Sequence, residues 1–96
     1  MRFLLLGFAL LMMLSVKAQD RVSISGYVKD SASNETVIGA SVSIKGKSKV
    51  ITSNQYGFYS LTLEPGTYII SVSHVAYQQK EISVTVQSNL QLNIEL

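Results

Sequence analysis

Ninety-six residues allow one domain at most, and a chain without cysteine excludes a disulfide framework and a thiolate metal site. The formal charge of +2 rests on Arg2 and Lys17, because residues 19–96 hold six basic and six acidic side chains. That neutral stretch has no global electrostatic pull toward nucleic acid or anionic lipid, so nucleic acid is excluded as a partner.

The chain opens with Met1 and Arg2, a short basic start, followed by an apolar run from Phe3 to Leu14 broken by Gly7. Ser15, Val16, Lys17 and Ala18 close it. Charge, apolar core and small-residue cleavage site, in that order, define a secretory signal peptide over residues 1–18. A helix of about twelve residues spans about 18 Å, short of a hydrocarbon core of about 30 Å, which argues against a membrane anchor. No cysteine follows the run, so a bacterial lipoprotein is excluded. Residues 19–96 then form the domain.

From Arg21 to Lys29 the pattern alternates, with Val22, Ile24, Gly26 and Val28 on one face and Ser23, Ser25 and Tyr27 on the other. This predicts a half-buried strand, and a glycine on its buried face predicts a bulge or a close neighbour. A polar loop, residues 30–35, and a crossing with a bend at Gly39 follow. Val42 and Ile44 point inward from a short strand that turns at Gly46, Lys47 and Ser48 and returns over residues 49–52. Lys45, Lys47 and Lys49 flank this hairpin, a placement that fits edge protection against strand-to-strand aggregation better than an anion or polysaccharide patch.

The stretch from Thr52 to Tyr68 is expected to organise the chain. Gly57 marks a reversal after Ser53, Asn54 and Gln55; Tyr59, Leu61 and Leu63 then share one face, with Phe58, Ser60 and Thr62 on the other. Glu64, Pro65 and Gly66 read as a type II turn with positive φ at Gly66, making a β-hairpin with the next strand. That strand carries Tyr68, Ile70, Val72 and His74 on its core face. After a turn over residues 75–78, Ile82, Val84 and Val86 alternate with polar residues, and Leu90, Leu92, Ile94 and Leu96 do the same to the end. Seven short strands, with no helix after the signal, predict an all-β sandwich of two antiparallel sheets.

Chemistry-bearing constellations are sparse. One histidine, His74, cannot build a multi-histidine metal site, and no Gly-x-Ser-x-Gly elbow is present. Asn54 and Gln55 bring no carboxylate for calcium, and no glycine-rich phosphate loop occurs. No catalytic residue, cofactor or metal is expected. The aromatic residues could stack on sugar rings, although in small sandwiches they serve more often as core or corner residues.

The ordered landmarks ISGYVKD (Ile24 to Asp30), VIGASVSIKG (Val37 to Gly46), Tyr56-Gly-Phe-Tyr-Ser-Leu61, Gly66-Thr-Tyr68 and Tyr77 resemble the carboxypeptidase regulatory-like domain. The resemblance covers nearly all of residues 22–96. It implies a seven-stranded prealbumin-like, immunoglobulin-like sandwich without catalytic residues. Asn54 and Gln55 stand where the family often has an Asp pair, and Ala76 where Gly is usual. The version with YGFYSL looks most like the N-terminal extension of TonB-dependent, SusC-like outer-membrane receptors. The resemblance therefore implies a periplasmic accessory domain whose partner is a receptor plug, a barrel or another periplasmic protein, with membrane association only through the receptor. The chain is expected to be either a truncated receptor start or a free-standing copy. The alternative is a carbohydrate-binding module using Tyr56, Tyr59 and Tyr77, which requires those three to form a flat exposed row. An enzyme is disfavoured.

Intact-mass measurement of the exported protein should show a chain beginning at Gln19; a stable full-length species in the membrane fraction contradicts the signal reading.

Overall fold

A computed structural model describes residues 21–96; the signal-peptide reading and its cleavage site lie outside the described residues. The described chain is all β, in the order β1 (Val22–Lys29), β2 (Ser41–Ile44), β3 (Val50–Thr52), β4 (Phe58–Leu63), β5 (Gly66–His74), β6 (Tyr77–Val86), β7 (Leu90–Gln91) and β8 (Ile94–Glu95). One sheet places β1 at its centre, with β4 on one side and β7 and β8 on the other; the second sheet runs β3-β2-β5-β6.

Period-2 alternation builds both faces of the core. β1 buries Val22, Ile24 and Val28, and β4 buries Tyr59, Leu61 and Leu63. The second sheet answers with Val42, Ile44, Ile70, Val72 and Val86, while Ile94 closes from β8. Val37 and Ala40 on the crossing are buried as well. Their backbone is held by a buried polar residue, Ser53, whose Oγ donates to the Val37 carbonyl at 2.7 Å and accepts from the Ala40 N–H at 2.9 Å. A crossing that enters the core must satisfy its backbone groups, and Ser53 does so.

Two expectations are corrected. β4 and β5 do not form a hairpin: β4 pairs antiparallel with β1, and β5 with β2 and β6. The chain arches between the sheets at Glu64 and Pro65. Gly66 is already the first residue of β5, and the positive-φ glycines are Gly39, Gly46 and Gly57. The arch is fixed by Tyr68, whose hydroxyl donates to the Glu64 carbonyl at 2.6 Å while its ring packs over Gly66. A tyrosine hydroxyl returning to a backbone carbonyl at a sheet-to-sheet corner is a recurring device of such sandwiches.

The last expected strand is also divided. β7 and β8 both pair with β1, and both run parallel to it, so the described strands number eight and the sandwich is not wholly antiparallel. The break falls at Leu92 and Asn93, opposite Gly26. A Cβ on Gly26 would stand 2.0 Å from the Leu92 carbonyl oxygen, so only glycine admits the chain there. Side chains replace the missing ladder bonds: Asn93 Oδ1 accepts from Tyr27 N–H at 3.0 Å, Asn89 Oδ1 accepts from Ser23 N–H at 3.0 Å, and the Tyr59 hydroxyl donates to the Leu92 carbonyl.

Two substitutions test this packing in urea denaturation. Ile70→Ala, at a fully buried position of β5, is expected to lower stability by about 2–5 kcal/mol. Gly26→Ala, which forces backbone against backbone, should cost about 3 kcal/mol. A Gly26→Ala protein as stable as the parent contradicts the close approach.

Candidate functional site

Tyr56, Tyr59 and Tyr77 do not form a row. Tyr59 points into the core and is 1% exposed, so no ring face is open to a ligand. Burial pushes its hydroxyl up to about 12. Tyr77 stands at the start of β6, beside the turn that closes the β5–β6 hairpin, where its hydroxyl donates to Asp30 Oδ2 at 2.7 Å. Only Tyr56 projects freely, at 65% exposure.

The structure groups Tyr56 with two aromatics not assigned to that row. Tyr27 of β1 lies directly opposite Phe58 of β4, and their rings meet edge to face at 5.5 Å between centroids. Both are on the outer face of the first sheet, 39% and 36% exposed. Tyr56 enters from the turn before β4 and shares with Tyr27 a shallow depression also lined by Lys29, Thr36 and Gln55. The signal was present in the sequence: Tyr27 and Phe58 each occupy the outward parity of an alternating strand.

The turn that carries Tyr56 is built by Asn54. Its Oδ1 accepts from the N–H of Tyr56 at 2.9 Å and of Phe58 at 3.0 Å. Its carbonyl accepts from Gly57 N–H, and its own N–H donates to the Phe58 carbonyl. Gly57 adopts φ +76°, and a Cβ there would lie 2.9 Å from both Thr36 Cβ and the Val28 carbonyl. Asparagine at the head and left-handed glycine at the foot are what such a turn requires.

At the same end of the sandwich, His74, Tyr77 and Asp30 form a latch. His74 Nδ1 accepts from Ala76 N–H at 3.1 Å, and Nε2 donates to the Ile38 carbonyl at 3.2 Å. The imidazole meets the Tyr77 ring edge to face at 5.4 Å. Asp30 Oδ1 accepts from the N–H groups of Ala32 and Ser33. The Tyr77 hydroxyl, and after it the two backbone N–H groups, hold the Asp30 carboxyl below its ordinary value; that carboxylate in turn raises the Tyr77 hydroxyl. Both ring nitrogens of His74 are thus used on backbone, and the serine that joins the network, Ser33, bonds the Asp30 carboxylate. Among the described residues no group of three His, Asp or Glu could hold a metal.

The three lysines separate. Lys45 pairs with Glu81 at 3.5 Å on the exposed surface, an interaction worth little by itself. Lys47 and Lys49 join Arg21 around a cleft at the other end of the sandwich, above Ile44, Leu61 and Leu63.

Fold and site together define a small prealbumin-like, immunoglobulin-like β-sandwich domain. The chain belongs to the CarboxypepD_reg-like domain family, whose model matches residues 24–96. It is 38% identical over 63 residues to the carboxypeptidase N catalytic chain of Mus musculus, which covers 66% of this chain and 14% of that protein. It is 34% identical over 70 residues to the TonB-dependent receptor SusC of Bacteroides thetaiotaomicron, covering 73% of this chain and 7% of the receptor. The chain therefore spans a small part of the curated relatives it matches. Among solved structures, a type II cohesin–X-dockerin complex from Acetivibrio cellulolyticus superposes with a TM-score of 0.67 at 23% identity, covering 77% of this chain and 56% of that one, a likeness of fold alone.

The latch predicts an acid limb. A carboxyl whose folded value lies below its ordinary value of 3.8 contributes stability at pH above the ordinary value and loses it as pH falls through the lowered one. Asp30→Asn should therefore flatten the stability profile below about pH 4 in thermal melts; a variant that follows the parent down that limb refutes the latch.

Proposed function

We propose that this domain is a non-catalytic accessory and interaction module of a TonB-dependent outer-membrane receptor system, exported by its N-terminal signal and working in the periplasm. The observation that carries the reading is the 34% identity with SusC across 73% of the chain. The match to a carboxypeptidase chain supports it from another side. A domain shared by two proteins of such different activity contributes by being attached or docked, not by carrying the chemistry of either.

The side-chain inventory supports the same reading. General acid–base or nucleophilic catalysis needs a titratable group poised beside a site where a substrate atom can sit. Here His74 and Asp30 are committed to backbone N–H and C=O groups and to Tyr77. What the sandwich offers instead is sheet edge. β6 is ten residues long, pairs with β5 on one side, and ends the second sheet on the other. Such an edge accepts an extended strand from a partner through main-chain hydrogen bonds.

Pull-down from periplasmic and outer-membrane extracts with the exported chain as bait is the test. A TonB-dependent receptor component should be recovered, binding at about micromolar strength, or about −8 kcal/mol. Failure to recover any receptor component, or a hydrolase activity that purifies with the chain, contradicts the proposal.

A further inference from the structure

We propose that the aromatic corner of Tyr27, Tyr56 and Phe58 binds a pyranose ring of a neutral glycan, the sugar seated in the depression between Tyr27 and Tyr56 with Phe58 packed edge to face behind Tyr27. The reading stands independently of the receptor association. The aromatic side chains are sharply sorted. Tyr59, Tyr68 and Tyr77 each spend their hydroxyl on a protein acceptor, at Leu92, Glu64 and Asp30. The aromatic residues that stand exposed among the described residues are Tyr27, Tyr56 and Phe58, and they meet at one corner. The outer face of the second sheet differs: Ser41 lies opposite Ser73, Ser43 opposite Ser71, Thr67 bonds Thr85, and its exposed apolar side chains, Val50 and Ile69, are aliphatic. Exposed rings are thus confined to one place, where burying them on a ligand is favourable.

Chemistry and size select the occupant. An aromatic face carries the negative end of a quadrupole and attracts the C–H groups that line one face of a pyranose. The hydroxyls of that sugar need donors and acceptors beside the ring, and the depression supplies Thr36 and Gln55. No carboxylate lines it, and its one charge is Lys29, so nothing there demands an ionic ligand beyond the sugar itself. A stable protein interface needs about 800 Å² and 20–30 residues a side. Three rings with a few polar neighbours fit one or two sugar units instead.

The backbone that carries these rings is held in place before any ligand arrives. Tyr27 and Phe58 are register partners on paired strands. The turn that holds Tyr56 is bonded through Asn54 and seated by Gly57 against Thr36 and Val28. Groups already held in place lose little conformational freedom on binding.

The exported chain is titrated with neutral hexasaccharides, β-1,4-linked glucose, α-1,4-linked glucose and β-1,4-linked mannose, and followed by calorimetry and amide chemical shifts. At least one should bind with Kd of about 1 mM or tighter, with shifts centred on residues 27, 36 and 55–58. Tyr56→Ala, and separately Tyr27→Ala, should weaken binding about tenfold or more. Tyr56→Ala should leave the unfolding midpoint unchanged, since its anchoring bond is made by its backbone. Ile69→Ala, exposed on the other sheet, is the control and should bind like the parent. The proposal is overturned if no hexasaccharide binds, or if Tyr56→Ala binds as tightly as the parent. It is overturned equally if Tyr56→Ala abolishes capture of a receptor while no sugar binds, which makes the corner a protein-docking surface. Loss of receptor capture by the parent chain leaves the sugar measurement untouched, so the two readings fail separately.

Discussion

The fold turns on the absence of a single side chain. Within its sheet β1 is the strand that serves partners on both sides, β4 running against it and β7 and β8 running with it. At Gly26 the returning chain comes so close that its Leu92 carbonyl occupies the space a Cβ would take. That approach breaks the regular ladder, and an unpaired backbone group away from water is costly. Two side chains restore the bonds. Asn93 takes the Tyr27 N–H, and Tyr59, directly opposite Gly26 on β4, reaches over the glycine to cap Leu92. Glycine, tyrosine and asparagine thus act as one unit that ties the C-terminal strands to the middle of the sheet.

The same register places the aromatic corner. Gly26 opposes Tyr59, and the next pair along is Tyr27 and Phe58. Because a strand alternates its faces, the pair that seals the core fixes the following pair outward. The corner is therefore not a decoration added to the sheet. It is the outer side of the ladder whose inner side closes the fold, and that closure holds its backbone in place. The turn before β4 adds Tyr56 through Asn54, and Gly57 seats that turn against Thr36 and the Val28 carbonyl of β1. Every part of the proposed platform traces back to β1.

Much of this was legible in the sequence, and the limits have physical causes. Alternation identified the inward faces of β1, β2, β4 and β5, and Ile94 and Val86 beyond them, because burial on one face of a strand leaves a period of two. The glycine on the buried face of β1 was readable as a close approach for the same reason. Pairing was not readable. Leu61, Leu63, Ile70 and Val72 point at the core whether β4 and β5 form a hairpin in one sheet or an arch between two, so the pattern is blind to the choice. Tyr68 and Glu64 decide it, through a bond that periodicity does not encode. The division of the last strand was hidden because Leu90, Leu92, Ile94 and Leu96 keep perfect alternation across the break. Ser53 was missed as a buried residue since a serine in a polar run carries no mark of burial. The grouping of Tyr56 with Tyr59 and Tyr77 gave residue type more weight than parity, although Tyr59 shares its parity with Leu61 and Leu63.

The Tyr59 hydroxyl, by capping Leu92 over Gly26, closes the sandwich. Tyr59→Phe removes that oxygen and leaves the ring in the core. Its urea midpoint should fall by an amount equal to about 1–3 kcal/mol, with the slope of the transition unchanged, since one acceptor is left without its donor. A Tyr59→Phe protein that unfolds at the same urea concentration as the parent contradicts this role for the hydroxyl.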